Sequence, residues 1–284
     1  MSSSHSPPTS PFAPTSTSTL PSSSYATVSL HKSDTIRFLN FPPSLAAALE
    51  PAIITAWPPG LDSSSPPTGG GLSFEYKCKD RPFGYFGTQQ HVGGIRLMRG
   101  VLAVLYRHGW ELVTSVLCSK RYTSKDTLFF RSRARVEGVA GAGALPPVEW
   151  LVVAPMRTDK LRLVYDADGE DSQHDHDHLG LLVAGVKKTL QEMGCFEKGD
   201  WSHDSFEFEL KGKPWRSRGE AAGNAVRIMV MRLLELIEGH GWRLYGTFVQ
   251  RTGQDEDRIL DTWYFVREKG KKGQVVEMEA SVSS

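Results

Sequence analysis

Apolar residues at Leu179, Leu182, Val186, Leu190 and Met193 recur at three- and four-residue steps, which predicts a helix with one greasy face. The same period runs through Val226, Val230, Leu233, Leu234 and Ile237, and through Met98, Val101, Leu102 and Leu105. A shorter stripe of Leu45, Leu49 and Ile53 predicts one more helix, with Ser44 as its cap and Pro51 as a kink. Gly109 and Gly241 end two of these helices where a left-handed residue is wanted. Trp110-x-Leu112 and Trp242-x-Leu244 then begin strands. Ser73-Phe74-Glu75-Tyr76 and Ser205-Phe206-Glu207-Phe208 read as strands as well, each stopped by a basic–proline–aromatic turn. Phe129/Phe130 and Trp263/Tyr264/Phe265 mark aromatic-rich last strands, suited to a half-buried sheet surface.

These elements come in pairs, and internal repetition decides the architecture. Residues 73–83 align with 205–215, and the register holds without a gap through Gly87 on Gly219 and His108-Gly109-Trp110 on His240-Gly241-Trp242. Asp126-Thr127-Leu128-Phe129-Phe130 then answers Asp261-Thr262-Trp263-Tyr264-Phe265, after a turn three residues longer in the second copy. Upstream, Lys32-Ser33-Asp34-Thr35-Ile36-Arg37-Phe38 echoes Arg157-Thr158-Asp159-Lys160-Leu161-Arg162-Leu163. The predicted fold is α+β: a tandem duplication of a ββαβαββ unit, with mainly antiparallel sheets covered by helices. The expected division is a disordered Ser/Thr/Pro-rich leader (1–25), a first unit (26–136), a Gly/Pro linker (137–150), a second unit (151–268) and a polar tail (269–284). The Gly/Pro/Ser-rich stretch 61–71 reads as a loop within the first unit.

Charge and chemistry narrow the picture only in part. A formal net charge of +1 lacks the basic excess typical of nucleic-acid binders, so a nucleic-acid partner is not expected. No stretch of 18 apolar residues occurs, which removes a helical membrane span. The leader has no apolar core of a secretory signal, so a cytoplasmic or nuclear location is expected. Cys78, Cys118 and Cys195 are widely spaced, without a Cys-x-x-Cys pair, and read as buried or inert thiols. No phosphate-loop, dinucleotide or zinc-protease motif is present, so no cofactor and no metal are expected, and an enzyme is the less favoured reading.

The leading candidate site is the loop after the Ser-Phe-Glu strand. Lys79 and Arg81 in the first copy, and Lys211, Lys213, Trp215, Arg216 and Arg218 in the second, stand just before a helix N-terminus, where an anion is favoured. The plainer reading is a turn with a buried ring and solvated basic side chains. His108 and His240 suit a capping role at helix C-termini. Asp126 and Asp261 suit turn hydrogen bonding rather than a metal site. His174-Asp175-His176-Asp177-His178 reads as a solvated loop rather than a metal site.

The quoted motifs resemble a family of uncharacterised eukaryotic proteins, mostly fungal. Its pattern is Phe-Glu-x-Lys-x-Lys-Gly-x-Pro-Trp, then Gly-Trp-x-Leu and Asp-Thr-x-x-Phe. The second copy fits it through Phe206, Glu207, Lys211, Gly212, Pro214, Trp215, Gly241, Trp242, Leu244, Asp261 and Thr262. The first copy departs at Asp80 and Phe83. The resemblance implies a fungal source and brings no established activity. The function expected is that of a binding or scaffold protein with a protein partner. The alternative is a small-molecule protein or enzyme holding an anionic ligand, by Lys211, Lys213 and Arg216, in a pocket between the units.

Overall fold

The computed structural model describes residues 24–65, 73–84, 87–119, 124–133, 145–166, 172–203, 205–250 and 260–269. The first unit runs β1 (Tyr25–His31), β2 (Thr35–Leu39), α1 (Ser44–Ala56), β3 (Leu61–Ser65), β4 (Ser73–Cys78), α2 (Thr88–Arg107), β5 (Trp110–Val116) and β6 (Thr127–Ser132). The second runs β7 (Val148–Met156), β8 (Lys160–Asp166), α3 (Ser172–Glu192), β9 (Phe196–Trp201), β10 (Ser205–Leu210), α4 (Glu220–Gly239), β11 (Arg243–Phe248) and β12 (Thr262–Glu268). Each unit builds one antiparallel six-stranded sheet, in the orders β3-β4-β2-β1-β6-β5 and β11-β12-β7-β8-β10-β9. The α+β class and the duplication are therefore as the pattern predicts.

Each unit has one strand more than predicted. The segment expected as a loop contains β3, which pairs Ser63 with Lys77 and Ser65 with Glu75. Its counterpart β9 pairs Asp200 with Glu207. Both are edge strands held by a neighbour on one side only, so their side chains need not alternate apolar and polar. Ser44 is the first residue of α1 rather than its cap, and α1 continues through Pro51 with Leu45, Leu49 and Ile53 buried. The His/Asp run, expected as a loop, lies within α3. Cys78 is buried, but Cys118 is exposed and Cys195 half-buried, so burial does not hold for all three thiols.

The backbone repeats its unusual conformations in pairs. Lys32 and Arg157, at the β1–β2 and β7–β8 turns, have φ of 51° and 50°; Gly109 and Gly241, after the long helices, have 74° and 81°. After β4 and β10 the tight turns use Asp80-Arg81 and Gly212-Lys213, all four with positive φ. Glycine meets that need at no steric cost, and aspartate tolerates it, which explains how Asp80 replaces glycine in the first copy.

The two sheets are covered differently. In β1 and β4 the burial alternates, because helices cover one face only. In β7 nearly every residue is buried. Leu151 and Val153 face α3 and α4 in one core, while Trp150, Val152 and Ala154 join α2 in the other. The first unit's long helix thus lies between its own sheet and the back of the second sheet. Tyr106 of α2 meets Trp150 and Tyr245 edge-on, at 6.1 and 5.8 Å between ring centres. The sheets also touch along β5 and β11. There Leu112 N donates to Tyr245 Oη (3.1 Å) and the Ser115 hydroxyl donates to the Thr247 carbonyl (2.8 Å). Gly246 permits this approach: a Cβ there would sit 2.3 Å from a Leu112 methyl. No helix of the described residues is long and apolar enough to cross a membrane.

Candidate functional site

On the far side of α2 from the β5–β11 seam the units stand apart, and a cleft of about 1910 Å³ opens between them. One wall is α1, followed by Trp57-Pro58-Pro59; the floor is α2; the other wall is Tyr165 at the end of β8, Leu179 of α3 and the Trp201–His203 turn. The floor follows from helical spacing. Gly93, Arg96, Gly100, Ala103 and Arg107 fall at steps of three and four, and therefore on one stripe. The small residues let α1 approach closely. A Cβ on Gly93 would meet the Trp57 ring at 2.6 Å, and one on Gly100 would meet the Ala56 Cβ at 3.2 Å. Trp57 is fixed by an indole N–H donated to the Lys79 carbonyl (2.9 Å).

The cleft is lined by several basic side chains. Arg96, Arg99 and Arg107 line it from α2, with His203 opposite, and the described lining sets one carboxylate, Asp80, against them. Arg96 Nη2 reaches across to the His203 carbonyl at 3.3 Å, tying the two walls together. His203 has φ of 54°, a left-handed conformation at the tip of the turn. The Ser202 hydroxyl lies 2.7 Å from His203 Nδ1, a local contact of adjacent turn residues.

A buried cation anchors this turn. Arg162 on β8 is 1% exposed. Its Nη1 donates to the Ser202 carbonyl (3.1 Å) and the Ser205 hydroxyl (2.6 Å), and its Nη2 pairs with Glu207. Lys160 shares Glu207 and Glu209, and Lys198 joins Glu209 at 3.3 Å. Burial pulls the Glu207 carboxyl upward, but Lys160 and Arg162 outweigh it and hold its pKa below the usual range. A buried arginine bonded to a turn carbonyl fixes that backbone, because releasing it would strand the charge.

The residues expected as an anion site sit elsewhere. Lys79, Arg81, Lys211, Lys213, Arg216 and Arg218 are exposed on the two turns. Of these turns, the cleft draws on Asp80 from the first and nothing from the second. The proline–aromatic steps pack back onto their own units. Phe83 N donates to the Ser33 carbonyl (2.8 Å), Trp215 N to the Thr158 carbonyl (3.1 Å), and the Trp215 indole N–H to the Lys160 carbonyl (2.8 Å). Phe83 is fully buried and Trp215 half-buried.

His108 and His240 do cap helices: Nδ1 of each lies 2.8 Å from the carbonyl four residues back, Val104 or Leu236. Asp126 does bond a backbone N–H, but across the units: its Oδ2 accepts from Val249 N at 2.9 Å. Burial and the nearby charge of Asp126 raise the Asp261 pKa. No group of three or more potential metal ligands occurs among the described residues. Side chains of the His/Asp run lie outside the described residues.

Sequence reasoning missed the cleft arginines because it weighed paired positions. At the matching places α4 carries Ile228, Met231 and Gly239, so the arginines belong to the first unit alone. The available signal was three arginines on a helix whose other residues are almost all apolar or small.

Comparison with known proteins agrees with the repeat. No curated protein matches the chain. The profile of one domain family of unknown function matches twice, at residues 24–131 and 149–266. Those two spans take in nearly all of both sheets and the four α-helices of the described residues, and the chain belongs to that family, carrying its domain in duplicate.

Proposed function

We propose that the protein is a binding protein that holds an anionic ligand in the cleft between its two repeated units. The observation that supports this reading is the exposed Arg107 at the end of α2, in an open cleft of about 1910 Å³ lined by both units. Guanidinium groups present a planar fork of donors that suits carboxylate and phosphate oxygens. The walls come from different units, so a ligand there would touch both and hold them in one arrangement. The duplication thus supplies a site that neither copy has alone.

The test is a thermal-shift titration of the whole chain with tripolyphosphate and with citrate. A ligand that binds only the folded state raises Tm by mass action. The reading expects a rise with at least one anion, and its loss in the double variant Arg96→Gln/Arg107→Gln. Flat titrations with both anions count against it. So does a rise that survives that variant and disappears in Lys211→Gln/Lys213→Gln.

A further inference from the structure

We infer that two copies of this chain pair edge to edge through β9, about a two-fold axis at Gly199, joining their six-stranded second sheets into one continuous antiparallel sheet. The first support is the open edge. β9 ends its sheet and has β10 on one side only. Ser202 and Ser205 exchange both backbone hydrogen bonds, at 2.9 and 3.2 Å, and so form a hydrogen-bonded pair of the β9–β10 hairpin. Such pairs alternate along an antiparallel ladder, which makes Asp200 with Glu207 and Lys198 with Glu209 the next two. Gly199 and Trp201 therefore turn their N–H and C=O groups to the open side, where a further strand would bond them.

The second support is charge. Lys198 and Asp200 stand on one face of β9, on either side of Gly199. Across the ladder Lys198 meets Glu209 at 3.3 Å. Asp200 instead faces Glu207, a like charge, and has no ion pair among the described residues. Like charges directly opposite are destabilising. A second β9, laid antiparallel with Gly199 opposite Gly199, sets Lys198 opposite Asp200 twice. Both would be non-hydrogen-bonded pairs, in which side chains lie closest. Lys198 can serve two acids, because its side chain is 64% exposed and its ammonium carries three donors. Moving the axis by one residue sets Lys198 against Lys198, or Asp200 against Asp200, so charge selects the register.

The edge of the first sheet lacks this pattern. In β3 the acid Asp62 already pairs with Lys77 of its own sheet, and Ser63, Ser64 and Ser65 follow. Charges on an edge strand usually keep a second strand away. On β9 the two signs repel a copy in the wrong register and attract one in the right register. Trp201, 53% exposed on the other face, would lie diagonal to Gly199 of the second copy, a spacing within reach of an aromatic ring.

The experiment is sedimentation velocity of the full chain over a range of concentrations, with Asp200→Lys and Lys198→Asp as variants. Both side chains are exposed, so the variants leave the core intact. The expected result is a reversible monomer–dimer equilibrium that weakens with added salt. Each variant alone should dimerise more weakly by roughly ten-fold or more, because like charges then meet across the axis. An equal mixture of the two variants should associate again, since one carries two cations on β9 and the other two anions. A wild-type chain that stays monomeric at every concentration overturns the inference. So do single variants that dimerise as the wild type does. A mixture that stays apart while the wild type dimerises overturns it as well, because the dimer would then use another surface.

Discussion

Helices α2 and α4 hold the same place in two copies of one fold, yet one is buried on nearly every side and the other on a single stripe. In α2 the buried residues run almost unbroken from Val101 to Tyr106. In α4 they reduce to Met229, Leu233 and Ile237. Where α2 has Gly100, Ala103 and Tyr106, α4 has Arg232, Glu235 and Glu238. The first helix carries what a covering sheet requires, and the second carries what water requires. Chains of stacked repeats end in this way, with a polar face on the terminal unit that stops further stacking.

The sheets show the same contrast from the other side. Arg37 and Glu75 form an ion pair on the open face of the first sheet, 46% and 37% exposed at their side chains. Their counterparts Arg162 and Glu207 form it at 1% and 17%, beneath the cleft wall. One pairing inherited by both copies has become two different interactions. In water it is a minor surface contact; enclosed, it locks a turn.

The largest effect should come from breaking that enclosed pair. Arg162→Ala takes from Glu207 one of its two cationic partners and removes the Arg162 bonds to the Ser202 carbonyl and the Ser205 hydroxyl, and should cost about 3 kcal/mol. Arg37→Ala should cost about 0–1 kcal/mol. Urea unfolding of both variants measures the difference, and equal costs would break the comparison. Next in size is the helix contrast. Tyr106→Ala empties a place among Trp150 and Tyr245 and should cost about 3 kcal/mol. Glu238→Ala, at the matching position on exposed helix surface, should stay within about 0.5 kcal/mol. The same unfolding curves read both.

The smallest effect concerns the acids Asp126 and Asp261. Burial and Asp126 raise the folded-state pKa of Asp261 above its unfolded value. Between those two values the folded state binds more protons than the unfolded state, so this group lowers stability as pH rises through the window. Asp261→Asn should remove that slope and leave the protein slightly more stable at neutral pH. Melting temperatures across the carboxylate range test the sign. A variant that is less stable at neutral pH would mean that the charge of Asp261 is used in the fold.

Much of this was legible in the sequence because the repeat made it so. Shared stripes located the helices, shared Gly-Trp steps located their ends, and His108 and His240 could be read as caps. What the repeat cannot show is how two like units sit together. That information lies where the copies differ: in Tyr106 of α2, matched by Glu238, in Gly246 of β11, matched by Thr114, and in the unbroken apolar run of β7, matched by an alternating β1. Gly246 is a clear instance, since a Cβ there would lie 2.3 Å from a Leu112 methyl of the first unit. The edge strands were missed for another reason. Leu61-Asp62-Ser63-Ser64-Ser65 has the composition of a turn, and only its pairing with β4 makes it a strand.

Hydrogen–deuterium exchange of the full chain, with and without saturating tripolyphosphate, tests the central claim most directly. Occupancy of the cleft predicts slowed exchange in peptides covering 48–59, 89–107 and 201–203, with 211–219 unchanged. Protection confined to 211–219 would place the anion on the basic turn of the second unit and contradict the assignment of the cleft.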